Sequence, residues 1–173
     1  MYRDVMAVAK SFYRLSMVAP FLRLQYLYGD VRKLFAVHCG VDIPDICEPV
    51  RSDNNLMFGV LHAALYITTY LELRRRGFDI SAVRYEDLVA RPLDMCRVVL
   101  EFCHLPASLA ELAVKAFDVD SQANSIVAKS AVGHFKEPRL TPQIKTELNE
   151  VLKQLGVPLL GEPGIIEGTL SLR

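Results

Sequence analysis

From Asn54 to Leu71 the chain runs for eighteen residues without Asp, Glu, Lys or Arg, and Glu72 and Arg74-Arg75-Arg76 close the run. So long an apolar stretch must be covered, and its length is marginal for crossing a bilayer. His62, Thr68 and Thr69 punctuate it, which favours a buried core helix over a lipid-facing one. Leu56 to Arg76 therefore reads as one long helix, packed on a sheet and stopped by Gly77.

A chain of 173 residues suffices for one domain with one core. Lys+Arg and Asp+Glu both number 20, so no global field draws nucleic acid or an anionic membrane, and any anion site must be local. Cys39, Cys47, Cys96 and Cys103 show no CxxC spacing. They read as free thiols in a reducing compartment rather than metal ligands or a disulfide framework. Cys96 and Cys103 are expected to share a helix face. No signal peptide is visible, so a cytoplasmic location is expected; an anchor upstream of Met1 would redirect the protein to the Golgi.

Local signals divide the rest of the chain. Val5 to Val18 reads as a helix with Asp4 at its N-cap. Asp30 to Cys39 reads as a second helix, and Val41 to Asp53 as a loop. Ile80 to Tyr85 fits a short buried strand. Pro92 opens a helix carrying Cys96, Val99, Leu100 and Cys103 at helical spacing. Ser108-x-x-Glu111 has the form of a capping box for a helix from Leu109 to Phe117. Thr141 and Pro142 start a last helix with Ile144, Leu148, Val151, Leu152 and Leu155 on its apolar face, stopped by Gly156 and Pro158. Residues 1–158 are expected to form the domain and 159–173 an irregular or mobile tail.

Three motifs carry candidate chemistry. Tyr2-Arg3-Asp4-Val5 leads to Ser11 with seven residues between Arg3 and Ser11. Val83-Arg84-Tyr85-Glu86-Asp87-Leu88-Val89-Ala90-Arg91-Pro92 runs on to Leu100-Glu101-Phe102-Cys103-His104-Leu105-Pro106. Lys129-Ser130-Ala131-Val132-Gly133-His134-Phe135-Lys136 comes last. In that order they resemble the 3′-phosphate segment, the strand-end Tyr-Glu-Asp-Leu motif and the late phosphate loop of sulfotransferases.

The resemblance implies an α/β, helix-rich fold: part of a three-layer, P-loop-type domain lacking its N-terminal strands. It implies that Arg3, Ser11, Lys129, Gly133 and Lys136 hold the 3′-phosphate of 3′-phosphoadenosine 5′-phosphosulfate (PAPS), with Tyr85 near the adenine. Guanidinium, hydroxyl, ammonium and close backbone donors suit a phosphate dianion. Glu86 and Asp87 read as structural carboxylates, capping a helix or pairing with an arginine. Of the histidines, His62 reads as a core imidazole, His104 stands where the family has a turn glycine, and His134 lies in the late loop.

The family transfers a sulfuryl group from PAPS to a hydroxyl or amine, here of a small-molecule or carbohydrate acceptor, without a metal cofactor. Its Lys-x-Gly-Thr-Thr loop and its base are absent from this sequence. Met1-Tyr2-Arg3 is therefore expected to be the end of a strand whose start is missing, and the isolated chain to be inactive. The alternative is a non-catalytic nucleotide-binding or helical interaction module. A further expectation is homodimerisation through apolar faces of the Val5 and Leu56 helices left uncovered by missing strands.

Overall fold

The computed structural model describes residues 1–18, 54–118 and 134–172. Helix α1 spans Val5–Val18 and α2 spans Asn54–Arg75. Short helix α3, Tyr85–Ala90, leads into α4, Pro92–Phe102. A 3-10 turn at Ala107–Leu109, helix α5 at Ala110–Lys115 and a second 3-10 turn at Ala116–Asp118 follow. Helix α6 spans Pro142–Gln154. The expected segments Asp30 to Cys39, Val41 to Asp53 and residues 129–133 lie outside the described residues.

The central element is α2. Leu56, Met57, Val60, Leu61, Ala63, Ala64, Leu65 and Ile67 are all buried, and together they occupy more than one helical face. Helix α1 contributes Val5 and Ala9 to the same core, α6 contributes Ile144, Leu148, Val151 and Leu152, and the tail contributes Leu160 and Ile166. By length and composition α2 could cross a membrane, yet half of its apolar window is buried within the structure.

The expected three-layer α/β fold is not what forms. Among the described residues there is no strand, only two isolated parallel bridges, Tyr2–Arg84 and Ala82–Thr169. Ile80 to Tyr85 is correspondingly an extended connection that turns into α3 at Tyr85, not a strand. The bridging hydrogen bonds are well formed: Tyr2 N–H donates to Val83 C=O at 2.9 Å, and Tyr85 N–H to Tyr2 C=O at 2.8 Å. On the other side Ala82 N–H donates to Gly168 C=O at 3.0 Å and Leu170 N–H to Ala82 C=O at 2.8 Å. Pairing stops there because Val5 and Tyr85 enter helices at once and Gly168 turns to φ +74°. The long helix is thus covered by helices and tail rather than by a sheet. The faces of α1 and α2 that were expected to lie open cover one another. Tyr66 of α2 stays exposed, and further exposed apolar side chains gather on the α3–α5 unit, at Val89, Phe102, Leu105, Leu109 and Leu112.

Local signals fared better than the fold class. Asp4 caps α1, its Oδ1 accepting from Ala7 N–H at 2.8 Å. Thr141 caps α6 through Ile144 N–H at 3.3 Å, with Pro142 at the first turn. Ser108 forms no capping box; α5 starts at Ala110 out of a 3-10 turn and has no side-chain cap. Cys96 is buried but Cys103, at the end of α4, is exposed, so the two thiols do not share a buried face. The tail is irregular and docked: Leu160 N–H donates to Asn149 Oδ1 of α6 at 2.8 Å, and Tyr70 Oη donates to Glu167 C=O at 3.0 Å.

Three helices end in the same six-to-one turn. Phe78 N–H reaches Leu73 C=O, Leu105 N–H reaches Leu100 C=O, and Val157 N–H reaches Leu152 C=O. The turn residue is glycine in two of them, Gly77 at φ +88° and Gly156 at φ +66°. In the middle one it is His104, at φ +56°. A left-handed residue bearing Cβ costs roughly 1–2 kcal/mol, partly offset by the added chain entropy of glycine, about 0.5–1 kcal/mol. His104→Gly should therefore raise the stability by up to ~1 kcal/mol and His104→Val should lower it. Urea midpoints of both variants check this, and a glycine variant less stable than the parent contradicts the turn.

Helices α1 and α2 touch backbone to backbone. A Cβ added at Gly59 would lie 2.7 Å from Ala9 Cα and 2.9 Å from Ala9 O. Neither atom can yield without moving the helix. Gly59→Ala should cost about 1–2 kcal/mol net, because overpacking outweighs the roughly 1 kcal/mol gain in helix propensity. Chemical denaturation reads this directly, and an unchanged or higher midpoint contradicts the close crossing.

Candidate functional site

The Tyr2–Arg84 bridge brings the first two motifs together across more than eighty residues of chain. Arg3 follows Tyr2, and its guanidinium carbon lies 4.9 Å from the centre of the Tyr85 ring. Its Nε is also 4.0 Å from Glu86 Oε1. The arginine is therefore steered by an aromatic face and a carboxylate while remaining exposed.

Glu86 acts as a structural anchor. Its Oε1 accepts from Asp4 N–H at 3.0 Å, and its Oε2 lies 3.6 Å from Arg84 Nε. Asp87 lies 3.6 Å from Arg84 Nη1. Both carboxylates thus pair with arginine, and Glu86 secures the entrance to α1.

Ser11 lies two turns along α1, exposed, with its hydroxyl donating to Ala7 C=O at 3.0 Å. That bond is to its own helix, as a mid-helix serine commonly makes. Arg3 and Tyr85 are brought together; Ser11 stands apart from that pair, beside Lys10. Lys136 is exposed, and its neighbour Glu137 pairs with two cations of α1. Glu137 Oε2 meets Lys10 Nζ at 2.7 Å, and Oε1 accepts from Arg14 Nη2. The two cations, Lys10 first, hold the Glu137 carboxyl below its ordinary range. Lys129 and Gly133 lie outside the described residues. The ring of His134 lies 4.2 Å from that of Phe135.

Lys10, Arg14 and Glu137 were not singled out by the motifs. Their signal was the four-residue spacing of Lys10 and Arg14, which puts two cations on one stripe of α1. Arg3, Ser11 and Lys136 are exposed, while Lys10 and Arg14 are half-buried and paired with Glu137. These groups suit a phosphate ester in charge and donor type. Tyr85 has one ring face already taken by Arg3, so a base would use the other face or the hydroxyl. A depression lined by Tyr2, Arg3, Asp4, Val5, Ile67 and Pro158 is only about the size of one water molecule. Among the described residues, no three His, Cys, Asp or Glu side chains gather as a metal site would require.

His62 belongs to the helix interface. Its ring lies 4.2 Å from that of Phe12 in α1 and 5.1 Å from that of Tyr66. Burial lowers its pKa from the ordinary value of 6.5. The unfolded chain therefore binds a proton at this residue more readily, and stability falls as pH drops below 6.5 toward the depressed folded value. Glu72, held at about 2 by Arg75 and Arg76, contributes its own loss only at much lower pH. The urea midpoint should decline as pH falls below about 6.5, and His62→Phe should flatten that decline. An unaltered slope in the variant would place the titrating group elsewhere.

No family model, curated protein or solved structure matches this chain.

Proposed function

We propose that this chain binds a 3′-phosphoadenosine nucleotide in the manner of a sulfotransferase, with Arg3 on the 3′-phosphate and Tyr85 beside the adenine, and with Ser11 and Lys136, which stand apart from that pair in the free chain, drawn to the phosphate on binding. Lys129 and Gly133 complete the phosphate site in this reading. The sulfuryl donor is PAPS and the acceptor a hydroxyl or amine. The sequence contains no Lys-x-Gly-Thr-Thr loop to hold the 5′-phosphosulfate, so the function proposed for these 173 residues is binding and not transfer.

The observation that carries the reading is the meeting of the first two motifs, with Arg3 over Tyr85 at 4.9 Å. Their juxtaposition comes from backbone pairing, at the residues the resemblance assigns to one ligand. His104 adds support, since it adopts a left-handed turn where the family pattern has glycine. A helical interaction module is the second reading, favoured by the exposed Phe102, Leu105, Leu109 and Leu112.

Calorimetry with 3′-phosphoadenosine 5′-phosphate separates the two. Binding should be measurable, and Arg3→Ala should weaken it about tenfold or more, because a charge-assisted hydrogen bond is worth about 1.5–3 kcal/mol. Arg75→Ala, at an exposed pair on the far end of α2, should leave binding unchanged. A folded chain that does not bind the nucleotide rejects the proposal in favour of the interaction module.

A further inference from the structure

The Glu137 carboxylate sits between Lys10 and Arg14 as a bound oxyanion would. Each of its oxygens takes one cation: Oε2 meets Lys10 Nζ at 2.7 Å, and Oε1 accepts from Arg14 Nη2. The two cations lie one turn apart on α1, and the exposed Ser11 lies beside them. The carboxylate leaves Arg14 incompletely used, since Arg14 Nε is buried and has no hydrogen-bond partner. A guanidinium binds a tetrahedral oxyanion best along an edge, through two parallel N–H bonds. A carboxylate shared with Lys10 supplies one of them; a phosphate has a further oxygen for the second.

Glu137 is also placed to leave. Its side chain is 49 % exposed, so rotation about its own bonds carries the carboxylate into water. The next residue, Pro138, is buried and keeps the backbone in place. An ion pair this exposed is worth little to stability, and its loss does not threaten the fold.

We propose that Lys10 and Arg14 form an oxyanion site for a phosphate or sulfate ester, and that Glu137 occupies it as an internal competitor which the ligand displaces. The site takes a tetrahedral oxyanion of either kind, and Glu137 sets how tightly. This device is separate from the Arg3–Tyr85 contact and does not require the ligand to be a nucleotide.

The test uses the full chain at low ionic strength, with inorganic phosphate, pyrophosphate and 3′-phosphoadenosine 5′-phosphate as probes. Removing the competing charge with Glu137→Gln should tighten phosphate and pyrophosphate about two- to fivefold, and adding Lys10→Ala or Arg14→Ala should abolish the gain. Glu137→Ser is the companion variant, because glutamine retains an oxygen that can still accept from Arg14. No gain in either variant overturns the proposal, as does a gain that survives loss of Lys10 and Arg14. Tighter phosphate binding by Glu137→Gln without any preference for the nucleotide upholds this site and counts against the nucleotide reading. Nucleotide binding that depends on Arg3 but is indifferent to Glu137 does the reverse.

Discussion

The close crossing of α1 and α2 at Ala9 and Gly59 is the contact on which the rest of the structure depends. Helices can approach this nearly only where one of them lacks a side chain. The absent Cβ of Gly59 admits the Ala9 backbone, and Ala9 is fully buried there. That contact fixes α1 along α2 and sets Phe12 edge-to-face with Phe58 and tilted against His62. It also sets where Tyr2 and Arg3 emerge, because both precede α1 directly. Loosening the crossing would shift the candidate site as well as the core.

The second tie is formed by three extended segments, around Tyr2, around Ala82 to Arg84, and around Gly168 to Leu170. They pair only briefly, yet they join the two ends of the chain to its middle. Tyr2 Oη lies 2.9 Å from Thr169 Oγ1, and Arg74 Nη1 donates to Ile80 C=O at 2.5 Å. Glycine is favoured at 168 for two reasons. Gly168 has positive φ, and a Cβ would meet Tyr70 Oη and Arg74 Nη1 at 2.5 and 2.6 Å. A tail that reads as irregular is therefore docked onto the rest of the fold, through particular backbone and side-chain bonds. Its three glycines do not make it loose.

The candidate site shows how partner choice can alter the meaning of a motif. Arg3 and Ser11 share a motif, but Arg3 is drawn toward Tyr85 and Glu86 while Ser11 bonds to Ala7 of its own helix. The strongest charge contacts near α1 involve Glu137, a residue outside all three motifs. Glu86, which as part of an acid pair could suggest acid–base chemistry, instead pairs with arginines and receives the Asp4 N–H. Where an ion pair sits, and what it competes with, was settled by segments more than a hundred residues apart.

The sequence by itself determined the start of α1, the end of α2, both ends of α6 and which side of α6 is buried. Asp4, Thr141, Pro142, Gly77 and Gly156 act within one turn of chain, so their effect is readable without knowing what lies nearby. All five residues marked as the apolar face of α6 are buried, for the same reason of short-range periodicity. Only the tertiary structure decided what covers α2, where the pairing of the extended segments stops, and that Glu137 spans Lys10 and Arg14. Apolar surfaces of a sheet, a helix and a docked tail are chemically alike, so the apolar pattern of α2 demands burial without naming its partner. A charged residue likewise records its need for an opposite charge but not which one the folded chain brings within reach.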